Sequence, residues 1–160
     1  MIYTYRYKTP YEFDDLKLVS DGEYLIEVSF MNKPEKIRND DPKYFKDTIR
    51  WLDMYFAHQI PDFTPGYRIE HLTPFREKVI SIMNTIPYGQ TMTYGQIADI
   101  IAREKGIMKM SAQAVGQAVG FNPICIIIPC HRVMGTDGKI TGYGGGIRNK
   151  VALLKLERSL

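Results

Sequence analysis

The stretch Ile126-Ile127-Ile128-Pro129-Cys130-His131-Arg132-Val133 constrains this 160-residue chain more than any other. Its apolar run reads as a buried strand, and proline ends a strand by removing a backbone donor. A side chain set just after such a stop can face a cleft while its backbone stays fixed. The residues placed there are a thiol, an imidazole and a guanidinium. A cysteine beside groups able to carry positive charge is a candidate low-pKa nucleophile. The plainer alternative is an inert core cysteine.

The length suits one domain or two small ones, and 44% hydrophobic residues is ordinary for a globular protein. No stretch is apolar for long enough to span a membrane. The N-terminus, Met1 to Asp15, lacks the apolar core of a signal peptide. A soluble, intracellular (cytoplasmic) protein is the expectation. Two cysteines, Cys125 and Cys130, are too few for a disulfide scaffold or a structural zinc site. Their odd spacing on one strand-like run sends them to opposite faces, so Cys125 reads as buried and inert. His58 and His71 are lone histidines and read as structural or surface residues, so no metal site is expected. Residues 1–72 hold 10 Lys and Arg against 13 Asp and Glu; residues 73–160 hold 11 against 5. The second half is the better partner for a polyanion.

Residues 2–9, 16–20 and 23–30 read as strands, the last two joined through Asp21-Gly22. Asp41-Pro42 opens a helix to about Gln59, with Phe45, Ile49, Leu52 and Phe56 on one face covering the sheet and Trp51 as packing. Residues 60–72, with Pro61, Pro65 and Gly66, connect the halves. Thr73-Pro74 starts another helix, striped by Phe75, Val79, Ile80, Met83 and Ile86. Thr93-Tyr94-Gly95-Gln96 is a capping box that opens a helix to about Lys105. After a turn at Gly106, Ser111 caps a short helix from Ala112 to about Gly120. The pair reads as a helix-turn-helix. Its second helix carries almost only small side chains, too short to read base edges in a major groove. Such a helix either packs tightly on its neighbours or lies close against a backbone without sequence preference. Asp137-Gly138 signals a further hairpin. Thr141 to Gly146 is glycine-rich but lacks the Gly-Lys-Ser/Thr of a phosphate loop, and suits close approach to a flat ligand. The last helix, from Ile147 to about Arg158, should turn Val151, Leu154 and Leu156 inward.

The string Pro-Cys-His-Arg-Val resembles the active-site motif of the O6-alkylguanine-DNA alkyltransferases. The likeness extends in order through Thr93–Gln96, Ala114-Val115-Gly116, Asn122-Pro123, Gly142-Tyr143, Gly145-Gly146 and Glu157. It implies an α+β fold with two parts. Residues 1–72 would be a ribonuclease-H-like small antiparallel sheet with a helix, acting as support. Residues 73–160 would be a mostly helical, winged-helix-like unit with the helix-turn-helix. The resemblance makes Cys130 the alkyl acceptor, His131 its base through a water, Glu157 the orienter of the imidazole, Asn122 a support near the thiol, and Tyr94 the proton donor to the departing guanine. It assigns DNA and base contacts to Tyr94, Gly95, Ala112, Gln113, Ala114, Gly116, Arg132, Val133, Tyr143, Gly144 and Gly145. Two positions depart from the pattern. Gln113 stands where arginine is usual, and Gly144 where serine is frequent. The implied activity is a stoichiometric transfer from O6-alkylguanine, with O4-alkylthymine a further candidate. The partner is double-stranded DNA, with no cofactor, metal or membrane, and the expected state is a monomer. Three rivals share features of the chain: a non-catalytic binder of alkylated DNA, which lacks the acceptor cysteine, a helix-turn-helix regulator, and a Cys-His hydrolase.

Overall fold

The computed structural model describes residues 1–158. Three antiparallel strands form the first sheet in the order β1 (Tyr3–Tyr7), β2 (Leu16–Ser20), β3 (Leu25–Phe30). β2 has the bounds its sequence suggests, whereas β1 and β3 are shorter than the expected 2–9 and 23–30. In β2, Leu16 and Leu18 are fully buried and Lys17 between them reaches partly into solvent, while Val19 and Ser20 are both buried. The β2–β3 turn forms at Asp21-Gly22, where Asp21 Oδ1 accepts from the amides of Glu23 (2.9 Å) and Tyr24 (2.7 Å) and Gly22 takes φ 97°.

Asp41 caps a 3-10 turn, Pro42–Phe45, that leads into α1 (Lys46–Phe56). The buried face of α1 is Thr48, Trp51, Leu52 and Tyr55. The expected stripe of Phe45, Ile49, Leu52 and Phe56 is corrected by about one position, because the amphipathic Thr48 and Tyr55 are enclosed while Ile49 and Phe56 are only half-buried. Trp51 is packing, as read. His58 and His71 are exposed, and no cluster of potential metal ligands exists among the described residues.

The second half holds α2 (Pro74–Met83), α3 (Tyr94–Lys105) and α4 (Ala112–Phe121), which pack on one another. Thr73 and Ser111 cap α2 and α4, and both hydrogen bonds of the Thr93/Gln96 capping box are present. Gly106 ends α3 in the left-handed conformation, φ 67°. Two short strands, β4 (Met92–Thr93) and β5 (Val133–Met134), pair in parallel. Asp137-Gly138 is a 3-10 turn and not a hairpin; the strand before it is already paired in parallel with β4. In α5 (Ile147–Leu156) the fully buried apolar residues are Leu153 and Leu154, with Val151 and Leu156 half-buried. No helix among the described residues is long and apolar enough to cross a membrane.

The largest correction falls on the isoleucine run. It is not a strand. Only Ile124 bridges to β3, opposite Val28; the Val28 amide donates to Pro123 O (2.9 Å) and the Cys125 amide to Val28 O (3.0 Å). The chain then turns back on itself, with Ile126 left-handed at φ 70° and the Ile128 amide donating to Ile124 O (3.1 Å). A β-branched residue rarely takes that conformation. The run is apolar because packing encloses it on all sides, a pattern that sequence alone does not separate from a central strand.

The halves are also tied at Asn149, which is buried in α5. Its Oδ1 accepts from the Asp14 amide (3.0 Å), and its Nδ2 donates to Asp14 Oδ2 (2.9 Å) and Gly145 O (2.7 Å). Asn149→Ala leaves these partners without it and should cost about 1–3 kcal/mol, read as a lower urea midpoint at unchanged slope.

Candidate active site

Pro129 and the turn before it set Cys130 at the start of a 3-10 turn, Cys130–Arg132. Asn122 holds that turn at both ends. Its Oδ1 accepts from the Ile124 amide (3.0 Å), and its Nδ2 donates to Ile124 O (3.3 Å) and Ile128 O (3.2 Å). Cys130 lines a cavity of about 190 Å³ with Tyr94, Gly116, Asn122, Cys125, Tyr143, Gly144 and Gly145 among the other walls. The sulfur lies 3.7 Å from the Tyr143 hydroxyl. Gly145 is required by space: a Cβ there would fall 2.7 Å from the Phe30 ring and 2.8 Å from the Tyr143 ring. Around Gly144 there is open room.

Cys125 does not face away from this cavity. The turn at Ile126 brings it into the same wall as Cys130, so its reading as an inert thiol on the opposite face is corrected. The Cys125 thiol is the largest influence drawing the Cys130 pKa down to about 6, against burial that pushes it up; His131, Asn122 and Tyr143 act in the same direction as Cys125. The proton stays on Cys125, whose own acidity is pushed well the other way by Cys130 and by burial.

Behind the thiol lies a buried ionic cluster. His131 Nε2 is 2.7 Å from Glu157 Oε2. Arg132 Nε donates to Oε1 (2.7 Å) and its Nη2 to Oε2 (3.1 Å), while Nη1 donates to Ile86 O (2.8 Å). The Tyr55 hydroxyl donates to Oε2 (2.5 Å) and the Gly89 amide to Oε1 (3.3 Å). Burial pushes the Glu157 carboxyl up, but hydrogen bonds and charge from His131 and Arg132 more than offset it and hold the group well below the usual carboxylate range. With Nε2 given to Glu157, His131 Nδ1 is buried with no protein partner. A buried polar nitrogen without a partner is uncommon in a folded protein and marks this position as one set apart from ordinary packing.

The remaining expected site residues fall in three places. Tyr94 and Gly95 open α3, and Tyr94 Oη accepts from Thr141 Oγ1 (3.4 Å) at the cavity. Ala112 and Gln113 are exposed on α4, and Ala114 and Gly116 half-buried, with Gly116 against the Tyr94 ring. Val133 is buried; its carbonyl already accepts from Lys150 Nζ (2.7 Å), which leaves one lone pair for a ligand. Arg132 is turned inward, so its expected role at the DNA is corrected to holding Glu157.

The family model described as "6-O-methylguanine DNA methyltransferase, DNA binding domain" matches residues 74–159. The chain is 47% identical over 148 residues to the methylated-DNA–protein-cysteine methyltransferase of Mycobacterium tuberculosis, covering 90% of this chain and 86% of the relative. This chain belongs to the O6-methylguanine-DNA methyltransferase family. The namesake enzyme of Methanosarcina acetivorans is 42% identical over 89% of this chain and 90% of its own. The crystal structure of the M. tuberculosis O6-methylguanine methyltransferase superposes with a TM-score of 0.83 at 39% identity, covering 99% of this chain and 94% of that one. The M. tuberculosis OGT in complex with DNA superposes at 0.80 and 38% identity, with 99% and 92% covered.

Four contributors to this methyltransferase-family site escaped the sequence reading: Cys125, Tyr55, Lys150 and the Tyr143 hydroxyl. Lys150 is wholly buried, and burial draws its ammonium pKa down while the Cys130 charge raises it. No local pattern marks any of the four, because each is defined by a partner far away in the chain or across a turn.

The low Cys130 pKa sets a test. Modification of Cys130 by iodoacetamide, followed by peptide mass, should be half-maximal near pH 6. Below that pH the sulfur holds its proton and the rate falls. Cys125→Ala removes the main donor and should move the midpoint up toward a free thiol's value of about 8.5.

Proposed function

We propose that this chain repairs DNA by moving an alkyl group from the O6 of guanine onto its own Cys130, once per molecule. The observation that carries this reading is the pairing of a thiolate-prone Cys130 with a buried His131 whose Nδ1 is unpartnered and whose Nε2 is fixed by Glu157. Displacement at a saturated carbon calls for a soft anionic nucleophile, and a thiolate is one. The thiol proton passes to His131 Nδ1 through one water. The Cys130 Sγ–carbon bond forms as the carbon–O6 bond breaks, and the bonding pair leaves with the oxygen. The guanine anion is a poor leaving group, so Tyr94 at the cavity donates a proton to the ring. No tetrahedral intermediate forms, and no oxyanion hole is needed. Water does not readily displace carbon from the resulting thioether, so the protein stops after one reaction.

Recognition follows the same surfaces. α3 and α4 act as the helix-turn-helix, and the small side chains of α4 let it lie close in the minor groove of duplex DNA. The target nucleotide turns out of the stack at a cost of a few kcal/mol. Its base enters between Tyr94, Val133 and the loop of Tyr143, Gly144 and Gly145. The carbonyls of Cys130 and Val133 accept from its amino group, and the Gly144 amide donates to O6. Residues 73–160 supply every reacting group and residues 1–72 support them. The chain works as a monomer inside the cell, where its DNA is, with no cofactor.

Incubation with an O6-methylguanine duplex and intact-mass analysis should show one added methyl, mapped to Cys130, and none on Cys130→Ser. Tight DNA binding with unchanged mass would instead indicate a non-catalytic binder, and repeated turnover on esters a hydrolase. Gln113 is exposed where it can fill the space left by the turned-out base, but it adds no positive charge. Gln113→Arg should raise the repair rate of duplex DNA more than that of the free modified base; equal changes on both would remove Gln113 from that role.

A further inference from the structure

The residue on Glu157 that no reacting-group argument uses comes from the other half of the chain. Tyr55 lies in α1, is 1% exposed, and places its hydroxyl 2.5 Å from Glu157 Oε2. Oε2 is also the oxygen that faces His131 Nε2. We propose that Tyr55 is a positioning residue for alkyl transfer: its hydroxyl fixes Glu157 Oε2, which in turn fixes the Nε2–H tautomer and the ring angle of His131, so that Nδ1 is left as the base. The proposal rests on the alkyl-transfer reading above and gives residues 1–72 a part in the reaction beyond support.

The geometry is suited to that task. The Tyr55 ring is stacked on Trp51 at 5.3 Å between centroids and 10° between planes. Phe56 meets it edge-on at 5.4 Å and Tyr88 at 6.1 Å. A ring held on these sides cannot swing its hydroxyl away. Glu157 is an anion with no proton to give, so the shared proton belongs to Tyr55. Burial, then the charge of Glu157, keep the hydroxyl protonated far into the alkaline range. Arg132 alone does not do the same work. Its short bond is to Oε1 (2.7 Å), and its contact with Oε2 is the longer one, 3.1 Å. Without Tyr55, Oε2 can tilt about the Arg132–Oε1 bond, and the imidazole tilts with it.

Tyr55→Phe in the full chain tests this, because phenylalanine keeps the ring and deletes only the donor. With a methylated duplex in excess, the limiting single-turnover rate should fall on the order of tenfold, while the duplex concentration giving half that rate is unchanged. In the 15N-labelled protein, the His131 Nε2–H resonance should shift and exchange faster with solvent than in the parent. Trp51→Phe loosens the same stack but leaves the Tyr55 hydroxyl, and should lower the thermal midpoint without moving the imidazole resonance. A parent-like rate and resonance in Tyr55→Phe would overturn the proposal, as would equal resonance changes in both variants, which would mark a packing role. If the parent protein itself gains no methyl, the alkyl-transfer reading fails, and the imidazole resonance still decides whether Tyr55 positions His131.

Discussion

One buried carboxylate organises the reactive end of this protein. Glu157 receives five donors from three places in the chain: α1, the turn after α2, and the 3-10 turn that carries Cys130, which supplies the His131 ring and two nitrogens of Arg132. Taking a carboxylate and a guanidinium out of water is costly, and well-packed apolar residues often serve stability as well or better. The cluster is better understood as a means of fixing orientation. Each donor occupies a defined direction around the two oxygens, and the sum leaves one free valence in the neighbourhood, on His131 Nδ1.

The Cys130 thiol is mounted by a second device, the edge of the N-terminal sheet. β3 would offer an open edge, a liability in a soluble protein. Here the edge is closed by short pieces of the chain: Tyr67 beside Leu25, and Ile124 beside Val28. The second closure positions the loop from which Cys125 and Cys130 both reach the cavity. Asn122 ties the loop's two ends, and the left-handed Ile126 lets it reverse direction within a few residues. Local strain of this kind is held in place by surrounding packing; Ile124, Ile126 and Ile128 are all at or near zero exposure.

What could be read in the sequence was whatever depends on neighbours a few residues away. The caps at Thr73, Thr93 and Ser111 and the β2–β3 turn at Asp21-Gly22 are all local. The Cys130–Val133 string and the spaced likeness through Glu157 identified the family for the same reason: they are patterns along the chain. The errors arose where meaning depends on the third dimension. Three isoleucines signal burial but not the geometry of burial, and a turn of this composition reads as a strand. On a strand, the period-two rule sends Cys125 to the wrong face. The resemblance implies a DNA contact for Arg132; only its partner Glu157, 25 positions on, shows that its side chain turns inward. Tyr55 is separated from Glu157 by 102 positions and sits in a half with no matching motif.

The two cysteines of the cavity wall shift each other's acidity in opposite directions. A strongly depressed thiol pKa supplies more thiolate but weakens the nucleophilicity of each one. A midpoint near 6 lies close enough to neutrality to avoid a large loss of that strength. The adjustment comes mainly from a neutral neighbour, Cys125, rather than from a nearby full positive charge. Lys150, the buried cation on the same side, spends its hydrogen bond on the Val133 carbonyl. A neutral donor stabilises the thiolate at short range only, and adds no net charge to the cavity. The wall of the pocket thus lowers the pKa of one thiol with a second thiol from the same loop.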